Sequence, residues 1–175
     1  MIGRIVLYGL AFGSAAAALT YVHYVNGLYA ERNAALAISI FAGIMITALA
    51  SYMFIHSLSH SGEQVKMGKA LFGSLFVCLL ISGATIMCYG TLLGAKPEIK
   101  ADLIGQTTIR IEKAVNNDKE IAPEMKEVKI AEMKKQYAEN LSPYNFGKSQ
   151  LQMNLSICMV VSLITFLFQY RNSGV

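Results

Sequence analysis

Charged residues are sparse along this chain and cut it into long apolar stretches. Four tracts carry no Asp, Glu, Lys or Arg: Ile5 to Ala30, Asn33 to Gly62, Ala70 to Ala95 and Ser149 to Tyr170, of 26, 30, 26 and 22 residues. A helix rises about 1.5 Å per residue and a bilayer's hydrocarbon core is about 30 Å thick, so roughly 20 apolar residues suffice to cross it. The pattern predicts four transmembrane helices over 4–26, 34–57, 69–94 and 149–170. The first begins Met1 to Arg4 and passes a run of small residues at Ser14 to Ala18, as a cleavable leader does, but its apolar character continues through Tyr21, Val22 and Val25. It therefore reads as a retained anchor.

Between the third and fourth tracts the pattern changes period. Ile104, Thr108, Ile111 and Val115 recur at helical spacing, and Asn116-Asn117-Asp118 follows as a turn. Pro123 opens a second helix, with Glu124 at its positive end. In that helix Ile121, Met125 and Val128 share one side, while Ile130, Met133, Tyr137 and Leu141 fall on roughly the other, so it is expected to touch two neighbours. Ser142-Pro143 and Gly147 read as breaks before the last span. The expected fold is all-α: an integral membrane four-helix bundle with a helical hairpin domain between its third and fourth transmembrane helices. Residues 1–95 carry three spans, 96–148 the polar hairpin, and 149–175 the fourth span with a short tail.

Composition sharpens this picture. Of 175 residues, 54% are hydrophobic and 15% charged, which excludes a soluble nucleotide-binding enzyme, a disordered tail and a secreted disulfide scaffold. Of the 26 charged residues 19 lie between Lys96 and Lys148, where ten basic and nine acidic side chains interleave to a net charge of +1. That balance predicts a solvated helix with local ion pairs, such as Lys135 with Glu139, and no nucleic-acid partner. Trp is absent, so Tyr21, Tyr24, Tyr29, Tyr89 and Tyr170 are expected to serve as interfacial anchors.

Four spans put both termini on one side. Arg4, Lys66, Lys69 and Arg171 then face Arg32, which favours cytoplasmic termini; counting the ten basic residues of the large loop reverses the vote, but a self-contained domain crosses despite its charge. We expect cytoplasmic termini and a bacterial inner membrane, with an organelle inner membrane as the other location. Two short connections followed by a large third loop are similar in topology to tetraspanins. The loop has no cysteine and no CCG signature, so nothing of that family's function is carried over.

Candidate chemistry is thin. His56 and His60 stand four apart, a spacing that brings two imidazoles to one helix face and makes them weak candidates for metal. His23 lies at the other end of an antiparallel pair and cannot join them. Cys78, Cys88 and Cys158 fall within spans and read as free, inert thiols, and Met153 and Met159 as packing residues on opposite faces. No P-loop, nucleophile elbow, zincin motif or dinucleotide fingerprint occurs, and none of the four tracts holds a charge to drive ion-coupled transport. No catalytic residue and no cofactor is expected. Small residues four apart, Gly9 and Gly13 followed by Ala17 in the first span and Gly90 and Gly94 in the third, mark expected helix-packing faces.

These features favour a non-catalytic subunit, assembly factor or scaffold of a larger membrane complex, of the secretion, conjugation or respiratory type. Its partners would be the lipid bilayer and other membrane subunits. Two alternatives stand beside it. One is a homo-oligomeric pore or holin-like channel, for which Ser39, Thr47 and Ser51 offer the nearest polar face. The other is a haem, quinone or metal-binding redox subunit using His56 and His60.

Overall fold

The computed structural model describes residues 1–28, 34–60 and 66–172, which form six helices and no strand. They are α1 (Ile2–Val25), α2 (Ala34–Ser59), α3 (Met67–Ala95), α4 (Pro97–Asn117), α5 (Pro123–Asn140) and α6 (Pro143–Asn172). Stretches of α1, α2, α3 and α6 are long and apolar enough to cross a membrane: Ile2–Val25, Ala37–Ser59, Met67–Ala95 and Pro143–Phe168. The chain is an all-helical, multi-pass membrane protein. Tyr29, Arg32 and Glu63 lie outside the described residues, as do the side chains of Tyr170 and Arg171.

Local chemistry sets the ends of these helices. The chain's three prolines, Pro97, Pro123 and Pro143, each open a helix, where the missing N–H costs nothing. Glu98 and Glu124 follow in the first turns of α4 and α5, beside the positive end of the dipole. α1 ends in a Schellman turn: Leu28 N–H donates to the His23 carbonyl at 3.0 Å and Gly27 N–H to that of Tyr24 at 3.3 Å. Gly27 takes φ +65° there, a value that favours glycine. α6 begins six residues before the uncharged tract. Gly147 does not interrupt it; a β-carbon there would press on Ile86 Cδ1 at 3.1 Å, so the glycine serves close approach of α6 to α3.

The spans form an antiparallel bundle. Arg4 Nη1 donates to the Ser57 carbonyl at 2.7 Å, tying the start of α1 to the end of α2, and His23 meets Ser39 at the opposite end. Around the bundle α1 packs on α2 and α3, and α6 on α2 and α3; α2 and α3 also meet across the centre, whereas α1 and α6 scarcely touch. At the end nearer the termini the interior is filled by Phe54, Ile55, Leu58, Ala70, Val77 and Ile81.

Helices α4 and α5 form a hairpin at the other end. Ile111 and Val115 of α4 are buried against α5, Lys134 pairs with Glu112 at 2.7 Å, and Lys126 Nζ donates to the Asn116 carbonyl at 2.8 Å. Among the described residues α5 forms the pairs Lys134–Glu112 and Lys129–Glu132, and not Lys135–Glu139. Among the described residues the hairpin meets the bundle at its base, where Ile99, Leu103 and Leu141 join Tyr89 and Leu93 in a second core. Helix α5 buries none of its residues fully: Met125 and Val128 are exposed, and its contacts are with α4 along its length and, near Tyr137, with the bundle. Tyr89 is buried and not an interfacial anchor, because the hairpin base gives its ring a protein surface to pack on.

Candidate functional site

A partly open cavity of about 150 Å³ lies between the two cores. It occupies the diagonal where α1 and α6 fail to meet. α1 contributes Leu19, Thr20, His23 and Tyr24, α2 contributes Ser39, Ile40, Gly43 and Thr47, and α6 contributes Phe146, Gln150, Met153 and Asn154; Ile81 and Thr85 of α3 complete the wall.

Its deep end is a hydrogen-bonded cross-link between three spans. Thr47 Oγ1 donates to Asn154 Oδ1 at 3.2 Å, sharing its proton with the Gly43 carbonyl at 3.1 Å, and Asn154 Nδ2 donates to Ser82 Oγ at 2.9 Å. Thr47, Ser82 and Asn154 are all at most 2% exposed. Away from water a polar group must find its partners within the protein, and these bonds hold α2, α3 and α6 in register. Two of the four hydrogen-bonding positions of the Asn154 amide are used. Gln150, one turn nearer the hairpin, makes no side-chain hydrogen bond among the described residues.

At the shallow end His23 Nδ1 and Ser39 Oγ are 2.8 Å apart, bridging α1 and α2. Tyr24 and Phe146 complete this end. The Phe146 ring stacks on Tyr89 at 3.9 Å between centroids, and Tyr24 lies against Tyr89 at 5.1 Å. Tyr89 in turn donates its hydroxyl to the Leu141 carbonyl at 3.2 Å, where α5 ends. The aromatic cluster therefore roofs the cavity and seats the hairpin at once.

The residues singled out by sequence are distributed elsewhere. Gly9 and Gly13 face α3: a β-carbon at Gly9 would sit 2.8 Å from Leu80 Cβ, and one at Gly13 3.2 Å from Ala84 Cβ. A β-carbon at Gly90 would meet Pro143 Cβ at an ordinary 3.8 Å, and one at Gly94 nothing within 4 Å. His56 and His60 are exposed, with ring centroids 4.2 Å apart, and Nδ1 of His60 turns back to the His56 carbonyl at 3.0 Å. No third His, Cys, Asp or Glu joins them among the described residues. Thr47 and Ser51 are buried in the chain's own bundle, and Ser39 lies against His23. Cys78 and Cys158 are both fully buried and adjoin each other across α3 and α6, a contact that spacing along one helix does not reveal.

Sequence reading passed over Asn154 and Gln150. An amide in the middle of an uncharged tract was the available signal, since such groups in a span are costly unless partnered. No protein-family model, characterised protein or solved structure matches this chain.

Proposed function

We propose that this protein is a non-catalytic integral membrane subunit of a larger membrane complex, acting in its assembly or as a scaffold of the secretion, conjugation or respiratory type, with the α4–α5 hairpin as the end that meets a partner. The observation that carries this reading is the hairpin's attachment: among the described residues it is seated on the bundle at its base, and α5 leaves Met125 and Val128 exposed along its length. A two-helix element holding its shape through Ile111, Val115 and the Lys134–Glu112 pair is a ready-made recognition surface. The apolar outer surfaces of the spans meet lipid. The few basic residues of the termini and short loops favour cytoplasmic termini, with the hairpin on the far side, in a bacterial or organelle inner membrane.

The test is mild-detergent extraction from the native membrane, native-mass separation and identification of whatever co-migrates. A fixed set of other membrane proteins is expected, released by the double substitution Met125→Lys, Val128→Lys while helicity is retained. Migration alone, as a monomer or a homo-oligomer, overturns the proposal.

A further inference from the structure

The cavity is independent of the hairpin's outer face and carries its own inference. We propose that it is a binding site for a neutral six-membered ring bearing oxygens at opposite positions, a hydroquinone or quinone head group.

Size, charge and hydrogen bonding each narrow the ligand. A cavity of about 150 Å³ is the size that accepts a single benzene ring in an engineered protein interior, so its enclosed part has room for one ring. Among the described residues no Asp, Glu, Lys or Arg lines it, and its imidazole, His23, is held to Ser39, so an ion would lose its hydration without a carboxylate, ammonium or guanidinium counter-charge. The occupant is neutral. Leu19, Ile40, Ile81 and Met153 supply apolar walls for the faces of a ring.

Of the other polar groups in the wall, His23 and Ser39 bond to each other and the hydroxyls of Thr20 and Thr85 donate to their own helices, so the amide contacts come from one side of α6. Asn154 keeps one amide hydrogen and one carbonyl lone pair unused among the described residues, and Gln150 keeps its whole amide. These residues are four apart on one helix, so the two amides stand about one turn from each other, ~6 Å along the axis. That spacing matches oxygens across a ring, not adjacent ones. Each amide both donates and accepts, so the site suits a carbonyl or a hydroxyl oxygen. The second wall offers Gly43, where a β-carbon would meet nothing within 4 Å. A larger residue there fills the cavity without clashing.

The experiment uses the full chain in lipid nanodiscs, kept reduced, with hydroquinone as the probe and resorcinol and p-xylene as controls, read by saturation-transfer NMR and titration calorimetry. Saturable binding of hydroquinone is expected, about tenfold tighter than that of either control, the factor expected for about one well-made hydrogen bond. Gln150→Leu should weaken it by a similar factor. Gly43→Leu should abolish it with helicity and melting temperature kept. Non-saturable partitioning, or equal binding by wild type and Gly43→Leu, overturns the proposal and leaves the cavity to water. Equal affinity for p-xylene overturns it too, because the amides would then play no part.

Discussion

The hairpin and the bundle of this protein obey opposite rules of burial. In the hairpin, Ile99, Leu103, Ile111 and Val115 turn inward while lysines and glutamates face out, as in a water-soluble helix pair. In the bundle the large apolar side chains Ile38, Phe41, Phe72, Leu167 and Phe168 face outward, and much of the interior is Thr47, Ser51, Ser74, Ser82, Asn154 and Ser162. The solvent explains the inversion. Lipid tails solvate leucine as well as another leucine does, so apolar contact gives helices in a membrane little reason to associate. What holds them is close approach at small residues and hydrogen bonds that lipid cannot supply.

Perturbations matched to each rule separate the two regions. The largest effect is expected from Ile111→Ala, which removes a buried side chain from a two-helix core and should destabilise the hairpin by about 3 kcal/mol. Amide exchange should show α4 and α5 opening while protection in α1, α2, α3 and α6 is unchanged; loss of protection in the bundle would mean that the two regions form one cooperative unit. Next comes Gly9→Leu, where the new side chain collides with Leu80 close to its backbone. A cost of about 2 kcal/mol, typical of overpacking, is expected in reversible unfolding in bicelles, although the substitution makes the span more apolar. An unchanged midpoint would show that α1 does not rest on α3 at this point. The smallest effect is from Asn154→Leu, which removes two interhelical bonds at about 0.6 kcal/mol each in membrane proteins, or roughly 1 kcal/mol together. Stabilisation by this substitution would contradict the account of the bundle interior given above.

The same contrast explains what could be read from the sequence. Spans and hairpin helices were legible because hydropathy and the spacing of Ile111 and Val115 are properties of single segments. The start of the last helix was missed by six residues, since Tyr144, Asn145 and Lys148 end an apolar tract without ending a helix. Inward faces of the spans were much harder to find. Their apolar residues surround the helix almost evenly, so period says little, and the direction is carried by small and polar groups whose partners lie on other helices. Gly9 and Gly13 could be singled out, but Gly94 has the same spacing and no close neighbour. The cavity was illegible for the same reason. It exists because α1 and α6 diverge, a relation between segments far apart in the chain.

The junction between α3 and α4 has a mechanical consequence. One residue, Lys96, both ends α3 and begins α4, leaving no slack between a membrane helix and a projecting one. At 1.5 Å per residue the 21 residues of α4 make an arm of about 31 Å, so a tilt of ~10° at Lys96 would sweep its tip through about 5 Å. The ring cluster of Tyr24, Tyr89 and Phe146 sits beside that fulcrum. Tyr89 stands seven residues before Lys96, about 10 Å by helical rise, so a movement of its ring about that point would reach the tip of α4 enlarged about threefold, by leverage alone.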